Sequence, residues 1–116
     1  MRDTKSWADV RPSADLARKY RKLGFWRDAT PAADLRHWAR ETPDAVAITA
    51  RTATAGTQRM TYREYAAQVE RVTAVLAELG VGPGDVVVIQ LPNWCQLNAV
   101  VLACARLGAI AAPVVT

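Results

Sequence analysis

The chain has 116 residues, with 51% hydrophobic and 22% charged side chains, so it is long enough for one modest core without metals or disulfides and too apolar to be disordered. Its net charge of +4 is uneven: residues 1–40 hold ten Lys/Arg against five Asp/Glu, residues 41–116 five against six. A uniformly basic, nucleic-acid-coating protein is thereby excluded.

The opening "MRDTKSWADVRP" has no apolar run and carries acids, so it reads as neither a secretory signal nor a transit peptide. "SADLARKYRKLG" (13–24) predicts a short helix with Ser13 as N-cap and Gly24 just past its end. Residues 1–23 are expected to be a basic helical lead-in, and 24–116 a partial, N-terminal subdomain. A second helix starts at Thr30-Pro31, carries Leu35, Trp38 and Ala39 as its apolar stripe, and stops at Pro43. "AVAIT" (45–49) is β-rich, and the polar turn "RTATAGTQR" leads back toward Met60, which predicts a hairpin over about 45–60.

"TYREYAAQVERVTAVLAELG" is the clearest helix. Thr61 and Glu64 have capping-box spacing, and Tyr65, Val69, Val72, Leu76 and Leu79 recur three and four apart along one face. Gly80 suits the left-handed residue after the helix. "DVVVIQL" (85–91) is nearly continuous in apolarity, as expected of a strand buried on both faces. Pro92 ends it, Asn93 is placed to cap the helix "WCQLNAVVLACARLG" (94–108), and "AIAAPVV" (109–115) is a further strand. Strand, helix and strand with short loops predict a parallel βαβ unit at 85–115. The fold class is therefore α/β: helices packed on the start of a largely parallel sheet. The last strand has nothing after it to cover it, which predicts a truncated chain.

Leu97 to Val115 is the longest apolar stretch, but Asn98, Arg106 and Pro113 interrupt it; a buried helix fits better than a membrane span, and a cytoplasmic location follows. Cys95 and Cys104 fall on one helix about 13 Å apart, too far to bridge, and are expected as buried thiols. The glycines of "GVGPGDVVVIQL" follow a helix and precede a strand. Phosphate-binding glycine loops run in the opposite order, and no Lys-Ser/Thr pair follows, so a turn is predicted.

The lone His37 has no nucleophile or acid evident beside it. The run "RKYRKLGFWR" (18–27) interleaves aromatics with cations, but Asp15 and Asp28 break its charge; a solvated helix face is favoured over nucleic acid. Asn93 and Trp94 lie at the carboxyl end of a parallel strand, where open α/β sheets bind ligands, although capping also explains Asn93.

"MTYREYA" (60–66), "LGVGPGDVVVIQLPNW" (79–94) and "ACARLGAIAAPVV" (103–115) resemble, in order and spacing, the N-terminal part of the adenylate-forming ligases, the AMP-dependent synthetase and acyl-CoA synthetase superfamily. "GFWRDATPAADLRHWARETPDAVAI" (24–48) is similar to their lead-in. Matching positions are Thr61, Tyr62, Glu64, Gly80, Gly84, Asp85, Pro92, Asn93, Arg106, Gly108, Ala109 and Pro113. Tyr65 replaces a more usual Leu, and Ala112 stands where many CoA ligases have Asn. The nearest likeness is to medium-chain or cyclic-carboxylate CoA ligases and dihydroxybenzoate-type AMP ligases.

The resemblance implies activation of a carboxylic acid by ATP and Mg²⁺ as acyl-AMP, usually followed by transfer to CoA. The family's ATP loop, its Tyr-Gly-x-Thr-Glu motif, its ribose-binding Asp and the lysine of its small C-terminal domain have no counterpart in residues 1–116. The expectation is therefore a ligase fragment with no catalytic, cofactor-binding or metal-binding residue of its own. The competing expectation is a non-enzymatic interaction module that uses an open sheet edge, with self-association through that edge as one consequence.

Overall fold

A computed structural model describes residues 11–115; the first ten residues of the lead-in and Thr116 lie outside it. Eight elements follow in order among the described residues: α1 (Ala14–Lys22), α2 (Pro31–Glu41), β1 (Val46–Thr52), β2 (Gly56–Thr61), α3 (Tyr62–Glu78), β3 (Val86–Ile89), α4 (Cys95–Leu107) and β4 (Ile110–Pro113).

Local chemistry sets most of the boundaries. The Ser13 hydroxyl accepts from the Leu16 N–H at 3.3 Å, and the Thr30 hydroxyl from the Ala33 N–H at 3.2 Å. At the start of α3 the Glu64 N–H donates to Thr61 Oγ1 at 3.3 Å, while Glu64 Oε2 accepts from the Thr61 N–H at 2.8 Å, which closes the capping box. Those bonds favour the charged carboxylate: the Thr61 backbone N–H first, then its hydroxyl, hold the Glu64 carboxyl below its ordinary range. Thr61→Ala is expected to cost about 0.5–2 kcal/mol in urea denaturation. Because the folded pKa is depressed, the Glu64 contribution is present above the unfolded value of 4.5 and is lost as pH falls through the lower folded value. Glu64→Gln, which removes the titrating carboxyl, should thus lose less stability than the parent between neutral pH and acid below 4.5; an unchanged pH profile would count against the capping box.

Helix α3 ends as predicted. Gly80 takes φ 86°, and the Val81 N–H reaches back to the Leu76 carbonyl at 3.0 Å. Gly108 caps α4 in the left-handed region at φ 72°, and its carbonyl accepts from the Gly84 N–H at 2.9 Å, tying the end of α4 to the turn before β3. The 80–84 glycines lie in that turn, as expected: Asp85 Oδ2 accepts from the Gly82 N–H at 2.8 Å just before β3 begins at Val86.

Strands β1 and β2 form the predicted hairpin, antiparallel from Thr52↔Gly56 to Val46↔Thr61, with an irregularity between Val46 and Ile48. β1 runs three residues beyond the apolar "AVAIT", because pairing with β2 orders the polar Arg51 and Thr52 that local propensity leaves out. β3 and β4 pair in parallel, Val86↔Ile110 to Ile89↔Pro113, across α4, as the βαβ reading requires. The architecture is mixed α/β, but its strands form two separate two-stranded sheets.

Three local expectations are corrected. β3 covers 86–89, not 85–91, and only one of its faces is covered: Ile89 is 4% exposed, whereas Val86 and Val88 are 53% and 67% exposed. α4 lies against one side, and among the described residues nothing lies on the other. Leu79, assigned to the apolar stripe of α3, is 74% exposed, since no described residue covers the helix's last turn there. Asn93 does not cap α4; the N-cap is Trp94, with no side-chain hydrogen bond, because the chain turns one residue later than the spacing suggests.

The core lies where three helices meet. Leu35 of α2, Val69 of α3 and Ala99 of α4 are buried together, with Tyr62, Tyr65, Ala66, Val72 and Leu102 packed around them. Arg106 of α4 forms an ion pair with Glu70 of α3 at the rim, an exposed contact of small stabilising value.

Candidate functional site

The chain leaves β3 at Ile89, passes through Gln90–Asn93 and enters α4, so the N-terminus of α4 stands at the carboxyl end of a parallel strand. The β1–β2 hairpin faces that turn. Between them lies a recess of about 190 Å³ bounded by Ala50, Thr52, Thr54 and Gln58 on the hairpin and by Trp94 and Gln96 at the helix start. A second recess of about 360 Å³ shares Ala50, Trp94 and Cys95 and extends to Arg51, Asn93 and Asn98.

Trp94 is held in place by its N–H, which donates to the Pro92 carbonyl at 2.6 Å, and by its own carbonyl, which accepts from the Leu97 N–H at 3.1 Å. With no capping side chain, the first amides of α4 look outward at the positive end of the helix dipole. Asn93, freed from the capping role, is exposed and borders the larger recess. Asn93 and Trp94 are thus brought together with the hairpin, a neighbourhood that sequence spacing did not reveal. Thr52, Thr54 and Gln58 carried no signal at all, since their approach to α4 depends on how two distant elements pack.

Chemically the recesses are sparse. Beside the aliphatic Ile48, Ala50 and Ala55, their side chains are amides, hydroxyls, an indole, the Cys95 thiol and one guanidinium, with no carboxylate and no histidine. A Mg²⁺-bound nucleotide calls for carboxylate ligands and cations on its phosphates. Among the described residues no three His, Cys, Asp or Glu side chains come together as a metal site. The residues present do not fit ATP and Mg²⁺. His37 lies elsewhere, on α2, exposed and edge-on to Trp38 with ring centroids 4.8 Å apart.

Cys95 and Cys104 are both buried and both free thiols. Burial pushes the Cys104 thiol up, and burial followed by the neighbouring Cys95 pushes the Tyr65 phenol up. Raised thiols are poor nucleophiles. A disulfide-exchange reagent should therefore label the native chain slowly and take up two equivalents once urea unfolds it; rapid labelling of the native chain would contradict the burial.

Comparison with known proteins converges on one family. A family profile described as "AMP-binding enzyme" matches residues 35–116. The salicyl-AMP ligase / salicyl-S-ArCP synthetase of Mycobacterium tuberculosis is 38% identical over 97 residues, 84% of this chain and 17% of that protein. The 2,3-dihydroxybenzoate-AMP ligase of Bacillus subtilis is 38% identical over 83% of this chain and 17% of its own length. The medium-chain fatty-acid–CoA ligase of Escherichia coli is 30% identical over 81% and 16%. Among solved structures, Mycobacterium smegmatis MbtA superposes with a TM-score of 0.74 at 35% identity, covering 86% of this chain and 18% of that one. The chain therefore spans about a sixth of the length of the curated relatives it matches.

Proposed function

The chain belongs to the AMP-binding enzyme family, the adenylate-forming ligases, and from that premise we propose that it is the N-terminal part of an ATP-dependent ligase that activates an aryl or acyl carboxylic acid as its adenylate. The observation that carries the proposal is the 38% identity to an aryl-acid AMP ligase over 84% of this chain but only 17% of that protein. The uncovered face of β3, with Val86 and Val88 in solvent, supports further chain that packs on that face.

In this reading the acid's carboxylate attacks the α-phosphate of ATP and pyrophosphate leaves; the sulfur of a thiol, CoA or a carrier, then attacks the acyl carbonyl, and AMP leaves as the thioester forms. Residues 1–23 are the lead-in and 24–116 the beginning of the ligase's large domain. The chain supplies framework: the Thr61–Glu64 cap, the 80–84 turn, Arg106 and Gly108 all hold helices and strands in register. No residue of it is assigned a catalytic, cofactor or metal role. The aryl-acid ligases among its relatives favour an aromatic acid. No helix of the described residues is long and apolar enough to cross a membrane, and a cytoplasmic location accords with this reading.

The test is carboxylate-dependent ATP–pyrophosphate exchange, with salicylate, 2,3-dihydroxybenzoate and a medium-chain fatty acid as substrates, together with the intact mass of the native protein in its source cells. A native species several times heavier than 12.6 kDa that exchanges with one of these acids is the expected result. Exchange by the 116-residue chain alone would overturn the framework role. A native species of 12.6 kDa would overturn the ligase reading and return attention to the interaction module and its open sheet edge.

A further inference from the structure

The net charge of +4 is concentrated in one short segment. Residues 11–28 hold six Lys/Arg and two Asp/Glu, and the rest of the chain holds nine of each. That segment is α1 with the turn that follows it. No residue of α1 is buried. At 100° per residue, Leu16, Tyr20 and Leu23 share an arc of about 60°, while Arg18, Lys19, Arg21 and Lys22 lie on the other sides of the helix.

Beyond the helix end the chain folds back onto Tyr20. The N–H groups of Phe25 and Trp26 both donate to the Tyr20 carbonyl, at 3.0 and 3.3 Å. The Tyr20 ring lies 5.3 Å from that of Trp26 and 6.1 Å from that of Phe25. The result is a preformed aromatic cluster that remains open: Leu23 is 53%, Phe25 71% and Trp26 39% exposed. Asp15 and Asp28 are engaged with Arg18 and Arg21, so Arg11, Lys19 and Lys22 have no acidic partner among the described residues.

We propose that α1 and Leu23–Trp26 form a docking element for an anionic lipid surface, with Leu16, Tyr20, Leu23, Phe25 and Trp26 at the acyl boundary and the free cations among the head groups. An exposed amphipathic helix rich in Lys/Arg, with Trp, Phe and Leu on its apolar side, has the make-up that lies in a membrane interface. An acidic protein would meet the same charges but would need a shaped groove for Phe25 and Trp26, whereas a fluid interface needs none. A nucleic acid would need aromatic faces to stack on, and here Tyr20 and Trp26 pack edge-on against each other.

The experiment is co-sedimentation of the chain with vesicles of phosphatidylcholine alone and of phosphatidylcholine with phosphatidylglycerol. Binding to the anionic vesicles only, weakening as salt is raised, is the expected result. The double change Lys19→Glu/Lys22→Glu should reduce the partition coefficient about tenfold or more, and Phe25→Ser/Trp26→Ser should reduce it comparably, each with an unchanged circular dichroism spectrum. Failure of the parent chain to sediment with anionic vesicles would overturn the proposal, as would equal sedimentation with neutral ones. Retention on polyglutamate or RNA without vesicle binding would reassign the patch to that partner. Should either variant unfold, the parent's lipid and salt dependence decides alone.

Discussion

Leu35→Ala is expected to destabilise the chain by about 2–5 kcal/mol, read as a lower urea midpoint at an unchanged slope. Leu35 is 6% exposed and is the side chain through which α2 joins α3 and α4, beside Val69 and Ala99. Removing its isobutyl group loses the transfer free energy of the buried carbons and leaves a void whose walls belong to three helices. Those walls can close only if a helix moves. Single domains have about 5–15 kcal/mol of stability in all, so the loss is a large share. Leu79→Ala is the control: the same change at a side chain 74% exposed should stay within about 0.5 kcal/mol. Equal effects at the two positions would mean that the three-helix junction is not the core.

Ala99→Leu is expected to cost about 1–3 kcal/mol, for the opposite reason. Ala99 is fully buried where α4 meets α3, beside Val69, and Ala103, one turn further along α4, is fully buried as well. These small side chains let α4 approach α3, and three extra carbons at Ala99 must push α4 out or force neighbours off their rotamers. The shift would carry the start of α4, and with it Trp94, away from the hairpin. Loss of stability with a changed near-ultraviolet signal is the expected pair of readings. Ala105→Leu, on the exposed side of α4, should leave both unchanged. A stabilised Ala99→Leu variant would show that the α3–α4 interface holds a void.

Much of this protein was legible in its residues. Caps at Ser13, Thr30 and Thr61, the left-handed Gly80, and the turn at the 80–84 glycines act within a few residues of chain, so their signals survive without tertiary context. The helix–strand order around "DVVVIQL" was enough for the parallel pair, because a short βαβ connection has few ways to close. The motifs from Thr61 to Pro113 carried the family likeness that the aryl-acid and acyl-CoA ligases bear out.

Tertiary structure decided what depends on distant partners. Apolar runs do not say which face will be covered, and so Val86, Val88 and Leu79 face solvent although their pattern reads as core. Propensity ended β1 at Thr49, and only pairing with β2 carries it to Thr52. Asn93 has good capping chemistry, but the path from Pro92 places Trp94 at the helix start instead. The recess between Thr52, Gln58 and Trp94 exists because the hairpin and α4, nearly forty residues apart, are both held by α3, which is a property of the assembled core and not of any local stretch. Short-range hydrogen bonds and backbone sterics are written in neighbouring residues; burial, register extension and cleft geometry are sums over contacts that form only when the chain has folded.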